Sequence, residues 1–182
     1  MICVNYVELS KPLYHGSDKA VSEVDLTKGF PEKDFGRGFY TTNNKVQAEK
    51  FARLKASRAG SDKGFVSVFI IQDVSGLKIK QFFSSDEEWF DFVLMNRGYG
   101  ETGSSASQEE YDIIIGPVAN DAVGVVLNLF MFGTYGDPNT AEAKDTAIRL
   151  LLAQKLHNQI FFGTECAVER LSFLEMYDVC VD

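Results

Sequence analysis

Asp34-Phe35-Gly36-Arg37-Gly38-Phe39-Tyr40-Thr41-Thr42 is the stretch that decides the fold of this chain. Two glycines bracket one basic residue and lead straight into a run of β-forming side chains, so the segment reads as a tight turn feeding a strand over Gly38–Thr42. Tyr40 offers a flat face on which a ring can stack. A plain glycine turn before a core strand has the same composition, and the segment alone does not separate the two. Upstream, Leu13-Tyr14-His15-Gly16-Ser17 reads as a short strand, begun at Lys11 and ending at a glycine. A histidine followed by Gly lets a ligand approach the backbone while a ring nitrogen hydrogen-bonds it. A histidine in a surface turn is the alternative.

Outward from these segments, Asn44 caps a helix with Gln47 as its capping-box partner. Ala48, Phe51, Ala52 and Lys55 share a face at helical spacing, and the helix stops near Gly60. Phe65–Ile71 is a β-branched and aromatic strand, and Leu77–Phe83 alternates as another. Ser85 with Glu88 forms a second capping box, opening a helix that presents Trp89, Phe92 and Val93 to a core. Arg97–Glu109 reads as a Gly/Ser-rich loop.

Tyr111–Gly116 has the continuous apolar character of a central strand. Helices are expected over Asn120–Phe132 and from Asn139, with Glu142, to about Leu156. The second buries Ala147, Ile148, Leu151 and Leu152. Gln159–Phe162 is a strand, Thr164 caps a short helix, and Leu171–Val181 closes the chain as a strand. Strands at both ends with helices between them indicate a single α+β domain rather than a βαβ series.

The 182 residues suffice for one substantial core, and 45% hydrophobic with 24% charged residues is a globular composition. No apolar run approaches the roughly 20 residues that span a bilayer, and no signal peptide is expected at Met1–Tyr6. A cytoplasmic location is the default, and no membrane partner is expected. A net charge of −8 argues against broad capture of nucleic acid, though not against one nucleotide entering a pocket. Cys3, Cys166 and Cys180 are too few for a disulfide framework, and two histidines without a CxxC make structural zinc improbable. Cys166 and Cys180 are read as small buried hydrophobes.

Catalytic signatures are otherwise scarce. GxSxG, Walker, GxGxxG and HExxH patterns are all missing. Asp34-Phe35-Gly36 mimics a kinase tripeptide without a kinase catalytic loop, Gly-rich loop or paired lysine around it. Asp112, Asp121 and Trp89 read as structural.

Taken together, Tyr-His-Gly-Ser, then Phe-Gly-x-Gly-Phe-Tyr, then a helix with Ala48 and Phe51 resemble the donor-site half of poly(ADP-ribose) polymerase-like transferases. Those carry His-Gly-Ser followed by Phe-Gly-x-Gly-Ile-Tyr-Phe. More closely, the chain resembles a bacterial family of uncharacterised proteins grouped with that ADP-ribosyltransferase superfamily. Glu88–Phe92, Tyr111–Ala119 and Asn158–Phe162 carry the likeness too, which extends from about Leu13 to Phe173.

The resemblance implies an ADP-ribosyltransferase-like domain with a split central sheet and flanking helices, using NAD as donor substrate and no metal. By that resemblance His15 holds the adenosine ribose and the Gly16 backbone grips the nicotinamide carboxamide, with Ser17 beside them. Tyr40 stacks on the nicotinamide ring, and Phe51 is the best match for a second aromatic that closes the sandwich. Arg37, next to Gly38 in the glycine turn, either faces the pyrophosphate or is a solvated loop residue.

Where the superfamily has a glutamate that bonds the nicotinamide ribose, this chain has Gln159. A neutral amide orients a hydroxyl but lacks the charge that steadies an oxocarbenium-like state, a loss on the order of several kcal/mol. Catalysis then survives through positioning, another acid such as Glu165 reaches the site, or the domain binds NAD without turnover. Glu165 also suits the first turn of a helix for dipole reasons alone. Polymer formation is not expected.

The expected function is mono-ADP-ribosyl transfer to an unidentified protein or nucleic-acid acceptor with release of nicotinamide, or NAD hydrolysis. Relatives of this kind include bacterial toxins and effectors, so a neutralising partner protein is implied as well. The alternative is a catalytically inactive NAD-binding or protein-interaction module of the same fold. An NAD-dependent RNA phosphotransferase is a third reading, disfavoured by the missing basic surface.

Overall fold

A computed structural model of the chain describes residues 6–31, 33–99, 111–118, 121–152 and 157–181. Mixed strands and helices make an α+β fold built on two sheets. The first sheet has the order β1-β3-β7, from Leu13–Ser17, Lys63–Ile71 and Leu171–Cys180. The second has the order β2-β6-β5-β4, from Phe39–Thr41, Asn158–Phe162, Ile113–Pro117 and Ile79–Gln81. All pairings are antiparallel except β4 with β5.

Period-two alternation sorts the side chains of each strand to opposite faces. Ile113, Ile115, Ile160 and Phe162 meet Leu13 and Phe69 in the core between the two sheets. Ile114 and Phe161 point the other way, into a core with Phe35, Phe82, Trp89, Phe92, Leu127 and Leu151. That outer core is roofed by α2 (Glu87–Asn96), α3 (Asp121–Met131) and α4 (Ala141–Leu152).

The opposite outer face belongs to α1 (Lys45–Arg58). Ala48, Ala52 and Ala56 recur every fourth residue and are buried, and Ala48 and Ala52 sit against Val66 and Val179. Small residues on both sides let the helix lie close. A Cβ on Gly16 would stand 2.1 Å from the Ala48 carbonyl oxygen, and one on Gly64 would stand 2.4 Å from that of Ala52.

The two sheets meet at one corner. Tyr14 N–H donates to the Thr42 carbonyl at 2.8 Å, and Thr42 N–H donates to the Tyr14 carbonyl at 3.0 Å. Beyond this bridge β1 and β2 diverge, which splits the sheet between the segments that carry His15 and Tyr40.

Several boundaries move for local reasons. The strand expected over Leu77–Phe83 shortens to β4, and Phe83 is exposed. α2 is capped by Asp86, whose carboxylate accepts from Trp89 N–H at 3.1 Å, instead of by Ser85. An ionised acceptor at a helix N-terminus gains from the dipole as well as the hydrogen bond. At α1 Asn44 does accept from Gln47 N–H, but the reciprocal half of the capping box is absent. Thr42 Oγ1 lies 3.0 Å from Gln47 Oε1 and takes the Asn44 N–H at 3.1 Å.

α4 begins at Ala141, and Thr140 Oγ1, not Asn139, receives an N–H of its first turn, that of Ala143 at 3.4 Å. Its buried stripe is Ala143, Ala147 and Leu151, while Leu152 is 53% exposed because it falls outside the 3–4 spacing of that face. Phe51 likewise leaves the face expected for α1, which Ala56 completes.

Thr164 caps α5 (Glu165–Val168) as expected, accepting from Ala167 N–H. Cys166 and Cys180 are both exposed, contrary to the expectation of burial. Ala167 takes the inward position of α5, and Cys180 ends the edge strand β7. Residues 100–109 of the loop expected over 97–109, and residues 120 and 153–156 of the expected helices, lie outside the described residues. Among the described residues no helix is long and apolar enough to cross a membrane.

Candidate functional site

At the corner where β1 and β2 part, the imidazole of His15 takes over from the ladder. Its Nδ1 lies 2.7 Å from the Tyr40 carbonyl oxygen, and its ring packs against Phe39 with centroids 4.4 Å apart. A carbonyl oxygen only accepts, so Nδ1 carries the proton, and Nε2 of the neutral ring is an acceptor. Burial pulls the imidazole below its ordinary value and the charge of Lys55 lowers it further, against the opposing pull of the bond to Tyr40.

Tyr14 spends its N–H and C=O on Thr42, so alternation turns those of His15 toward β3 and those of Gly16 back toward β2. The residue opposite Gly16 would be Tyr40, whose carbonyl His15 occupies. Among the described residues nothing on β2 takes up the Gly16 amide or carbonyl. The result is a short stretch of unpaired strand edge beside an imidazole. Ser17, at the end of β1, donates its hydroxyl to Asp18 at 3.2 Å.

Tyr40 is held by both ends. Its ring leans on Phe161, centroids 5.0 Å apart, and its hydroxyl donates to the Gly36 carbonyl at 2.7 Å while accepting from Phe35 N–H at 3.1 Å. The hydroxyl therefore closes the glycine turn, where Gly36 has a φ of 88°. Burial raises the phenol well above its ordinary range, with the nearby Asp34 charge adding to it, so it stays a donor. Gly38 has a packing reason: a Cβ there would stand 2.2 Å from the Phe161 ring.

Gln159 lies on β6 two residues before Phe161, on the face that carries the Tyr40 ring. It is 7% exposed, and its Nε2 donates to Asp34 Oδ2 at 2.9 Å and to the Pro117 carbonyl at 3.4 Å. Asp34, 6% exposed, receives both Nε and Nη2 of Arg97 on Oδ1, at 3.0 and 2.6 Å. Sequence reasoning does not single out Asp34 or Arg97. An acid directly before Phe-Gly-x-Gly, at the mouth of the glycine turn, is the one local signal.

The other expected site residues are spread over the glycine turn, α1 and α5. Arg37 is exposed in the glycine turn. Phe51, on α1, is 44% exposed with the Lys55 ammonium 5.5 Å from its ring centroid. Lys33 is lowered chiefly by burial and then by the charge of Lys55, with Arg97 and Arg58 contributing, so these cations share one neighbourhood. Glu165 is exposed in the first turn of α5. Two open depressions, of about 200 and 240 Å³, lie elsewhere, one lined by Lys80, Asp91 and Tyr111 and the other by Leu9, Ile71 and Val74. Neither is lined by a histidine, whereas the split corner brings the expected site residues His15 and Tyr40 into contact.

Fold and site thus define an α+β protein whose divided sheet exposes a strand edge between a histidine and a tyrosine. The chain belongs to the family described as Protein of unknown function (DUF3990), whose model matches residues 12–173. No curated protein and no solved structure matches it.

Proposed function

We propose that the protein is an NAD-dependent mono-ADP-ribosyltransferase whose donor site is the split corner. The observation that carries this reading is the His15–Tyr40 contact, which holds β1 and β2 apart and leaves the Gly16 amide and carbonyl facing the gap. A carboxamide needs one donor and one acceptor side by side, and an unpaired strand residue supplies both. The family resemblance of these segments to polymerase-like transferases supports the same assignment.

The available groups suit the rest of NAD. His15 Nε2 accepts a ribose hydroxyl, the half-buried Tyr40 ring offers a stacking face, and Phe51, beside Lys55 on α1, supplies an exposed aromatic. Lys55, Lys33 and Arg58, with Arg37 in the turn, provide positive charge for a diphosphate on an otherwise acidic protein. In the reaction the bond between ribose C1′ and the nicotinamide nitrogen breaks, and its electron pair leaves with nicotinamide. The acceptor nucleophile, or water, forms the new bond at C1′ and gives its proton to solvent. The chain's residues orient the sugar and exclude alternative poses.

Incubation with NAD and a bacterial lysate tests the assignment, with nicotinamide release and attached ADP-ribose read by mass spectrometry. Release that is lost in both His15→Ala and Tyr40→Ala supports it. NAD raising the melting temperature without any release supports the noncatalytic module instead.

A further inference from the structure

Gln159 sits in a chemical environment that leaves its amide one orientation. Asp34 Oδ2 and the Pro117 carbonyl are both acceptors, so the atom facing them must be the nitrogen. Oε1 then points away. It has no partner among the described residues, and no fully buried polar side-chain atom there goes unpartnered, so Oε1 is reached by solvent. By strand register Gln159 is a diagonal neighbour of Tyr40, roughly 7 Å away across β2 and β6. A fixed acceptor therefore stands beside the tyrosine.

What fixes it is an ion pair placed where stability does not ask for one. Asp34 is buried and Arg97 half-buried, and a desolvated pair of this kind gains little over apolar residues of the same volume. Here the two oxygens of Asp34 are divided, Oδ1 to the fork of Arg97 and Oδ2 to Gln159. Arg97 ends α2 as its C-cap residue, so the helix anchors the guanidinium, which anchors the acid, which orients the amide.

Building on the transferase reading, we propose that Asp34 is a positioning residue. It turns the Gln159 carbonyl oxygen toward the donor cleft, where it accepts a hydroxyl of the nicotinamide ribose, and it brings a negative charge within one hydrogen bond of that oxygen's amide. Gln159 touches the sugar; Asp34 acts through it. The carboxylate missing from position 159 is thus supplied from position 34.

An amide exchange provides the test. In Asp34→Asn, Arg97 retains the side-chain oxygen, the new amide nitrogen faces Gln159, and the Gln159 amide must turn over, presenting its nitrogen to the cleft. Nicotinamide release should fall at least tenfold while NAD still raises the melting temperature. In Asp34→Asn with Gln159→Glu, one oxygen of the introduced carboxylate accepts from the amide now at position 34 and the other faces the cleft. Release should then recover to within about threefold of the parent. Gln159→Glu alone sets two carboxylates together and should lose release.

Parental release in Asp34→Asn overturns the inference and leaves the transferase reading intact. So does loss of release in the double variant despite a melting temperature matching that of Asp34→Asn. If Asp34→Asn fails to fold, Gln159→Met decides: it keeps the shape without the acceptor, and parental release from it overturns the inference. A parent that neither releases nicotinamide nor gains stability from NAD overturns both. If the parent binds NAD without release, the same loss and rescue are read on its dissociation constant.

Discussion

The Nδ1 of His15 lies 2.7 Å from the carbonyl oxygen of Tyr40, where a continuous ladder would have placed the Gly16 amide. One side chain thereby replaces a backbone bond and opens a gap between two strands. Replacing the ring with alanine should leave the Tyr40 carbonyl without its partner, at a cost of about 1–3 kcal/mol. Urea denaturation measures it, and an unchanged midpoint would show that solvent or Gly16 takes over the carbonyl.

The same imidazole predicts an acid-sensitive fold. Its folded value lies below the ordinary 6.5, chiefly through burial, so below that pH the unfolded chain binds a proton that the native one resists. Stability should therefore fall as pH drops from about 6.5 toward the folded value, and this contribution should be flat above 6.5. His15→Gln removes it. Denaturation curves for parent and variant between neutral and mildly acid pH should converge on acidification; parallel curves would contradict the burial account.

Glycines 16 and 38, in the two segments of the proposed donor site, are packing requirements. Gly16→Ala drives a Cβ into the backbone of α1, and Gly38→Ala drives one into the Phe161 ring. Each should cost roughly 1–3 kcal/mol or more. Gly76→Ala meets open space and bears only the strain of its φ of 81°, about 1 kcal/mol. Thermal denaturation of the three variants should rank the first two below the third.

Tyr40→Phe separates the two tasks of the tyrosine. The ring and its contact with Phe161 remain, while Gly36 and Phe35 lose their hydroxyl partner. The glycine turn should loosen, costing about 1–3 kcal/mol, with the stacking face kept. Calorimetric NAD binding should survive in Tyr40→Phe and fail in Tyr40→Ala; equal loss in both would assign the binding to the hydroxyl.

Much of this can be seen in the chain itself, because local signals and global packing agree. The apolar run Phe65–Ile71 cannot be solvated and becomes the middle strand of its sheet, and Tyr111–Gly116 leads into the wholly buried β5. The His15 and Tyr40 segments are recognisable as a pair. The Asp34–Gln159–Arg97 connection is not, since Asp34 stands 63 positions from Arg97 and 125 from Gln159, and nothing local ties them together. The α2 cap moves by one residue because two neighbouring side chains, Ser85 and Asp86, are both competent caps, and the charged one wins. Phe51 and Leu152 show that a face inferred from spacing alone can include one residue too many when small residues such as Ala56 complete the contact instead.

Lys55 provides an electrostatic check. If it serves a diphosphate beside His15, Lys55→Glu should weaken NAD binding tenfold or more at low salt, with the deficit shrinking as ionic strength rises. Titration at two salt concentrations reads it directly, and a salt-independent deficit would point to lost packing on Phe51 instead.

The most direct measurement of the central claim is nicotinamide release from NAD by the purified chain, beside His15→Ala and Tyr40→Ala. Release by the parent and none from either variant is expected, with an ADP-ribose adduct or free ADP-ribose as the matching product. A parent that neither releases nicotinamide nor is stabilised by NAD would contradict it, leaving the split corner as architecture without a donor site.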